Sequence, residues 1–176
     1  MMFTLVIGGA ASGKSAYAEE LILKYGEKRR TYIATMEPFD DECRQRIEKH
    51  RIQRKEKAFE TVECFTNLSS VKLAEKGAVL LECMSNLAAN ERYSSKGAGE
   101  KAYDAILAGI DALLLQCDDL VIVSNNVFGG GSQYEGDTLA YLKLLADINR
   151  ALAAKADAVC EVVCGVPVYY KGGERD

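Results

Sequence analysis

The sequence predicts one α/β domain built on a doubly wound, mostly parallel sheet. Short apolar runs rich in β-branched residues alternate with longer segments of helical periodicity. The apolar runs do not alternate with polar residues, which is typical of parallel strands buried on both faces. A chain of 176 residues is long enough for one core and too short for two ordinary ones. We therefore expect residues 1–176 to form a single domain.

The elements follow one another in a regular order along the chain. The predicted strands are 3–7, 31–35, 61–64, 78–83 and 119–124, with one or two closing strands in 159–171. The predicted helices are 15–25, 41–57, one that opens at 84, 100–117 and about 138–154. The first of these helices stops at Gly26, a residue type that favours the position just after a helix.

Composition excludes several classes of protein. No apolar run approaches the roughly 18 residues that a membrane span needs, and the first ten residues lack the basic start of a signal peptide. We therefore expect a cytoplasmic protein. The six cysteines form no C-x-x-C pair and there is one histidine, so no zinc pattern is present. We expect the cysteines to be mostly buried thiols.

A phosphate-binding motif follows the first predicted strand directly. Residues 8–15, GGAASGKS, fit G-x-x-x-x-G-K-[ST] with Gly8, Gly13, Lys14 and Ser15, and a helix follows. Backbone N–H groups of such a loop surround phosphate oxygens, Lys14 reaches the β- and γ-phosphates, and Ser15 ligates Mg²⁺. The alternative is a chance glycine-rich turn, which the strand–loop–helix context disfavours. We expect a nucleoside triphosphate site with Lys14 as a catalytic residue.

An acidic residue ends a second buried strand. Glu82 follows four apolar residues in AVLLEC, and a carboxylate at such a strand end needs a partner. It is expected to bind metal or nucleotide, although it could instead cap the helix that follows or hold a ribose hydroxyl. The base-reading pattern Asn-Lys-x-Asp is absent, so the sequence does not name the base.

The only histidine lies in a basic segment, residues 44–57. If this segment is helical, Arg46, His50 and Arg54 stack along one face at a spacing of four residues. Neighbouring cations disfavour a further positive charge, which leaves the imidazole free to act as a nucleophile. The arginines would hold a phosphate chain against it. The pattern is suited to nucleotidyl transfer, with attack on an α-phosphate and loss of pyrophosphate.

Two other readings of this segment are less demanding. It could be a solvated basic helix in which His50 is incidental, because runs of charge usually face water. It could also be a strip that binds RNA, but a net charge of −4 and the lack of interleaved aromatic residues argue against nucleic acid. The phosphate-binding loop favours the catalytic interpretation.

These motifs together resemble the bifunctional adenosylcobinamide kinase/adenosylcobinamide-phosphate guanylyltransferase family of cobalamin biosynthesis. The resemblance spans nearly the whole chain. It rests on GGAASGKS, YIAT, DDECRQRIEKHRIQR with its R-I-x-x-H-x-x-x-R element, TVEC, LLECMSNLAAN, VSNN and INRALAAKAD. The R-I-x-x-H-x-x-x-R element beside a phosphate-binding loop is the specific part.

The resemblance implies two activities. His50 would take GMP from GTP as a guanylyl-histidine and pass it to adenosylcobinamide phosphate, and the phosphate-binding loop would support phosphorylation of adenosylcobinamide. It implies a cytoplasmic homotrimer that uses GTP or ATP with Mg²⁺ and no tightly held organic cofactor. The implied nucleotide contacts are Gly8, Gly9, Ala10, Ala11, Ser12, Gly13, Lys14, Ser15, Thr35, Met36, Glu37, Arg51, Ile52, Gln53, Arg54, Glu63 and Glu82.

Two positions depart from the family pattern. Ala11 stands where the family commonly has arginine, and Asn126 replaces the acidic residue of a loop that here runs over 125–131. Two other functions remain open at this point: a small-molecule or nucleotide kinase in which His50 is idle, and a non-catalytic nucleotide-dependent switch or assembly protein.

Overall fold

The structure is a computed structural model that describes residues 1–126 and 136–173, apart from the side chain of Gln53. The described part of the chain contains seven strands and five α-helices. The strands are β1 (Met2–Gly8), β2 (Arg30–Ala34), β3 (Phe59–Glu63), β4 (Ala78–Glu82), β5 (Asp119–Asn125), β6 (Ala158–Val163) and β7 (Val166–Lys171). The helices are α1 (Lys14–Lys24), α2 (Asp41–Glu56), α3 (Met84–Tyr93), α4 (Ala102–Leu114) and α5 (Gly136–Lys155).

The strands form one seven-stranded sheet in the order β3-β2-β4-β5-β1-β6-β7. All neighbouring pairs are parallel except β6 and β7, which pair as an antiparallel hairpin. The predicted doubly wound, mostly parallel fold is therefore confirmed, and the closing segment forms two strands. Because β1, β2, β4 and β5 run the same way, their carboxyl ends meet at one edge of the sheet, where α/β folds bind ligands.

Two apolar layers cover the sheet. One face packs against α1 through a cluster that includes Val6, Ile22 and Leu80. The other face packs against α3, α4 and α5, and its cluster includes Leu5 and Leu81. Alternate residues of each strand thus enter different layers, which explains why the strands read as continuous apolar runs.

Several predicted boundaries are wrong by a few residues. Thr35, Cys64 and Cys83 follow their strands instead of ending them. The helix predicted over 100–117 ends at Leu114, although the apolar run continues. Leu115 is exposed, and the chain turns there so that the side chain of Gln116 can bond to backbone groups of the segment that follows β3. The last helix begins at 136 instead of 138.

Within the described ranges, no helix is long and apolar enough to cross a membrane.

Candidate active site

A cleft of about 630 Å³ opens at the carboxyl ends of β1, β2 and β4, against α1 and α2. The loop between β1 and α1 forms its floor. The side chains and backbone that line it come from Ala10 to Ala16, Glu19, Tyr32, Ala34, Thr35, Met36, Pro38, Arg46, Ile47, His50, Arg54, Glu63, Glu82, Cys83, Asn86 and Asn125.

The glycines of residues 8–15 permit a tight loop. Gly13 has a φ of 91°, and a Cβ there would also lie 3.1 Å from the Cα of Gly165. A Cβ on Gly8 would meet the Oγ of Ser12 at 2.5 Å. The Nζ of Lys14 donates to the carbonyl of Gly9 at 2.8 Å, so the side chain folds back over the loop. This conformation places the ammonium group where phosphates bind in loops of this type.

Glu82 lies beside this loop, at the end of β4. Its Oε1 accepts a hydrogen bond from the hydroxyl of Ser15, and its Oε2 accepts one from the hydroxyl of Tyr32 at 3.1 Å. It does not cap the next helix, because α3 has Cys83 at its N-cap and no side-chain capping bond. The carboxylate therefore faces the phosphate-binding loop, as the sequence pattern indicates.

The helix α2 brings the basic segment to the same cleft. It begins at Asp41, and its face with Arg46, His50 and Arg54 lines the cleft opposite the phosphate-binding loop. Most of α2 is exposed, as the solvated-helix reading expects, but Arg54 is only 4% exposed. Its guanidinium stacks on the ring of Tyr32, 3.6 Å from the ring centroid. The stacked arginine thus anchors the C-terminal half of α2 to the sheet.

The cleft contains most of the side chains that the sequence and the resemblance select. Residues 10–15, Thr35, Met36, His50, Arg54, Glu63 and Glu82 all line it. Gly8 and Gly9 do not line it. The fully buried Thr35 already uses its hydroxyl, which exchanges hydrogen bonds of 2.8 Å with the backbone of Cys83.

Other selected residues lie elsewhere. Glu37 lines an adjacent cavity of about 430 Å³, which Glu63 shares with the cleft. Arg51 and Ile52 are exposed and do not line the cleft. The side chain of Gln53 and the loop residues 127–131 lie outside the described residues.

The departures from the family pattern have distinct surroundings. Ala11 is exposed, lines the cleft and has a positive φ of 55°. The amide of Asn126 donates to Glu161 at 3.0 Å, and its backbone N–H donates to the carbonyl of Gly8. Asn126 therefore ties the end of β5 to the strand that leads into the phosphate-binding loop.

Sequence reasoning did not select Tyr32, Glu19, Asn86 or Asn125, which also line the cleft. Tyr32 is the most connected of them, since it contacts both Glu82 and Arg54. The available signal was weak. Tyr32 lies two positions before the residue that pairs with Glu82, so both side chains share one face of the sheet, but this register is not visible in a single strand.

Comparison with known proteins now bears on this cleft. The family described as cobinamide kinase / cobinamide phosphate guanyltransferase matches residues 4–170. The chain belongs to this family. Membership confirms the resemblance that the motifs indicated. The family is one of enzymes with kinase and guanylyltransferase activities.

Individual relatives are similar over their whole length. The bifunctional adenosylcobalamin biosynthesis protein CobU of Salmonella typhimurium is 34% identical, and the alignment covers 97% of this chain and 100% of the relative. The protein of the same name from Escherichia coli is 35% identical with the same coverage. The CobP protein of Pseudomonas aeruginosa, also described as bifunctional, is 28% identical over 97% of this chain and 98% of its own.

A solved structure shares the fold at much lower identity. The flagellar accessory protein FlaH of Methanocaldococcus jannaschii superposes with a TM-score of 0.54 at 10% identity, covering 98% of this chain and 79% of FlaH. At this identity the likeness concerns the fold alone.

Proposed function

We propose that this member of the family phosphorylates adenosylcobinamide and then transfers GMP from GTP to adenosylcobinamide phosphate through a guanylyl-histidine at His50. The observation that carries the proposal is the cleft itself. It places the single imidazole of the chain, with an arginine one turn away on either side, opposite a phosphate-binding loop. His50 is exposed on α2, but it lines the same cleft as that loop, which an incidental histidine would not need to do.

The covalent step follows from this arrangement. A nitrogen of His50 attacks the α-phosphorus of GTP, and the bond from that phosphorus to its bridging oxygen breaks. Pyrophosphate leaves with the electron pair. A phosphate oxygen of adenosylcobinamide phosphate then attacks the same phosphorus, the phosphorus–nitrogen bond breaks, and the imidazole recovers its lone pair. Arg46 and Arg54 are placed to stabilise the charge on the transferring group.

The kinase step needs no protein nucleophile. The hydroxyl of adenosylcobinamide attacks the γ-phosphorus of GTP or ATP and releases its proton to solvent. The bond from that phosphorus to its bridging oxygen breaks, and the nucleoside diphosphate leaves with the electron pair. Lys14, within the phosphate-binding loop, holds the β- and γ-phosphates in line for this transfer. Both reactions would therefore draw on the same loop while only one requires His50.

The side chains of Ser15 and Glu82 fit a magnesium ion. The hydroxyl of Ser15 and the carboxylate of Glu82 are hydrogen-bonded neighbours, and oxygen ligands of this kind suit Mg²⁺ held together with nucleotide phosphates. Ser15 would ligate the ion, and Glu82 would hold it from the end of β4. Bound there, Mg²⁺ neutralises charge on the phosphate oxygens.

The family resemblance also supports a cytoplasmic homotrimer with sites between subunits. Exposed apolar side chains on the edge strand β7, Val166, Val168 and Tyr170, are in keeping with a further protein surface packing near that edge.

An isotope-position experiment tests the covalent step. Protein incubated with α-labelled GTP should retain label after denaturation, whereas γ-labelled GTP should leave none, because pyrophosphate carries the γ-phosphorus away. An ordinary kinase with an idle histidine would retain neither label. Retention of the γ-label would contradict the proposal, because it would indicate a phosphorylated protein instead of a guanylylated one.

A further inference from the structure

Tyr32 contacts two parts of the cleft, the strand end that faces the phosphate-binding loop and the helix α2. Its hydroxyl donates to Oε2 of Glu82 at 3.1 Å, and Oε1 of the same carboxylate accepts from Ser15 in the phosphate-binding loop. The other side of the phenol, its ring, lies under the guanidinium of Arg54 at 3.6 Å. Arg54 is one helical turn from His50 on α2.

The hydroxyl is well suited to fix the carboxylate. Tyr32 is 6% exposed, so its buried hydroxyl needs a hydrogen-bond partner. The carboxylate of Glu82 supplies that partner. With Ser15 on one oxygen and Tyr32 on the other, the carboxylate is held in a single orientation.

The ring is equally important to Arg54. Nε of Arg54 is buried without a hydrogen-bond partner, and no ion pair with Arg54 is found among the described residues. The aromatic face therefore supplies the main contact that holds this cation at the cleft. An arginine held by stacking leaves its guanidinium N–H groups available to phosphate oxygens.

We propose that Tyr32 is a positioning residue that couples the phosphate-binding loop to the histidine helix: its hydroxyl orients Glu82 toward the Mg²⁺·nucleotide, and its ring orients Arg54 beside His50. This inference rests on the proposed function and deepens it. It assigns two separable tasks to one side chain that touches neither reacting group.

Two substitutions separate the tasks. Tyr32→Phe keeps the ring and removes the hydroxyl, whereas Tyr32→Leu removes both. Tyr25→Phe is the matched control, because Tyr25 is a buried tyrosine whose hydroxyl bonds with Thr4 and which does not line the cleft. For each variant, the rate of GMP attachment and the rate of phosphorylation are measured as functions of Mg²⁺ concentration.

We expect Tyr32→Phe to raise the half-saturating Mg²⁺ concentration of both reactions roughly tenfold, the scale of effect of an outer-shell partner of a metal site. Saturating Mg²⁺ should restore both rates to within about twofold of the wild type, since a weakened metal site can still be filled. In Tyr32→Leu, saturating Mg²⁺ should restore phosphorylation, but GMP attachment should remain slower than in the wild type by roughly tenfold or more. The loss of a single charge-stabilising contact has an effect of that order or larger. Tyr25→Phe should match the wild type in both.

A double substitution tests independently whether the ring of Tyr32 acts through Arg54. If the ring acts through Arg54, then at saturating Mg²⁺, where loss of the hydroxyl has little effect, Tyr32→Leu combined with Arg54→Ala should attach GMP no more slowly than Arg54→Ala alone. Additive losses would overturn the coupling between ring and arginine. A Tyr32→Phe protein with wild-type dependence on Mg²⁺ would overturn the role of the hydroxyl, and this variant tests that role even if Tyr32→Leu fails to fold.

These outcomes differ from a failure of the proposed function. If the wild-type protein attaches no GMP at all, the histidine mechanism is wrong whatever the variants do. If the wild type attaches GMP and both Tyr32 variants behave like Tyr25→Phe, only the positioning role is wrong. A purely structural tyrosine would lower both rates without changing their dependence on Mg²⁺.

Discussion

At the scale of single residues, the cleft brings together charged side chains of opposite sign at the phosphate-binding loop. Lys14 lies within this loop and Glu82 at the end of β4. The hydroxyl of Ser15 bridges from the loop to the carboxylate. Under the proposed function, the positive group would hold phosphate and the negative group would hold the metal that accompanies it.

Replacing Lys14 with alanine should reduce both activities by about 10²-fold or more, because each transfer relies on charge neutralisation at the same phosphates. The rates are measured with saturating nucleotide by following phosphorylated product and attached GMP. Lys143→Ala is a suitable control, since this lysine is exposed on α5 and does not line the cleft. Turnover at the wild-type level in a folded Lys14→Ala protein would refute the assignment of the loop.

Glu82→Gln keeps the shape of the side chain and removes its charge. We expect the affinity for GTP in the presence of Mg²⁺ to fall by roughly 10-fold or more, as for an outer-shell ligand of a metal site. Without Mg²⁺ the affinity should change much less. Titration calorimetry at two metal concentrations measures both. Equal affinity and equal metal dependence in the mutant would show that Glu82 has a structural role only.

Individual site residues differed in how well the sequence could predict them. Lys14, Ser15 and Glu82 could be predicted from the sequence, because each stands at a fixed place in a local strand–loop or strand–end pattern. His50 was accessible because helical spacing alone aligns it with Arg46 and Arg54. Tyr32 was not, because its contacts depend on the register of β2 against β4 and on the seating of α2, which are set by residues far apart in the chain.

At the scale of elements, α2 is the part that most needs explanation, because it has almost no apolar face. Among its described side chains only Arg54 is buried. Its position is set instead by polar contacts. These are the Asp40 cap at its start, the stacking of Arg54 on Tyr32, and an ion pair from Lys57, just beyond its end, to Glu19 of α1. A helix held in this way carries His50, the proposed nucleophile.

The cap of α2 makes a prediction about pH. The side chain of Asp40 accepts from the backbone N–H of Cys43 at 2.7 Å, and this bond lowers the pKa of its carboxyl below the ordinary value of 3.8. A lowered pKa in the folded state means that the charged cap stabilises the protein above that value and is lost as the pH falls through the folded-state pKa. Asp40→Ala should therefore lower the melting temperature at pH 7 and have less effect near pH 3.

The control for this prediction is Asp40→Asn, which keeps a capping oxygen but cannot titrate. Its melting temperature should stay close to that of the wild type at pH 7, and it should lose less stability on acidification. Thermal unfolding followed by circular dichroism measures all three proteins. If Asp40→Asn and Asp40→Ala unfold at the same temperature at pH 7, the side chain does not cap α2.

Element prediction succeeded where the apolar pattern and the burial agree. The strands were found because parallel strands buried on both faces leave continuous apolar runs. The end of α4 was missed because Leu115 extends the apolar run while lying in solvent. The helix stops for a tertiary reason, namely the bonds of Gln116 to a distant segment, and such a reason leaves no local signature.

At the scale of the whole molecule, the strand order decides where the site lies. β1 stands inside the sheet between β5 and β6, and the chain crosses from one side of it to the other. β4 and β2 lie on the far side of β5 from β1. Because the chain crosses β5 after β1, the phosphate-binding loop that begins this crossing lies near the ends of β4 and β2. The sequence predicts the parallel class of the sheet, but strand order arises from contacts between distant segments and is not visible in any single run.

The proposed trimer is tested at this scale by mass. Size-exclusion chromatography with light scattering should give about three times the chain mass of 19.2 kDa. The measurement is repeated over a range of protein concentrations, because a closed assembly keeps one stoichiometry where a weak one dissociates. A mass of a single chain at every concentration would rule out the trimer and its sites between subunits, leaving only the cleft that one chain forms by itself.

The central claim concerns His50, and one measurement addresses it directly. Wild-type protein and His50→Ala are incubated with GTP and Mg²⁺, and mass spectrometry locates any attached GMP, alongside a kinase assay on the same samples. We expect GMP on His50 in the wild type and none on the mutant, since no second histidine exists in this chain. Both proteins should phosphorylate adenosylcobinamide, because that step needs no protein nucleophile. GMP that persists on the mutant, or that maps to a lysine in the wild type, would contradict the central claim.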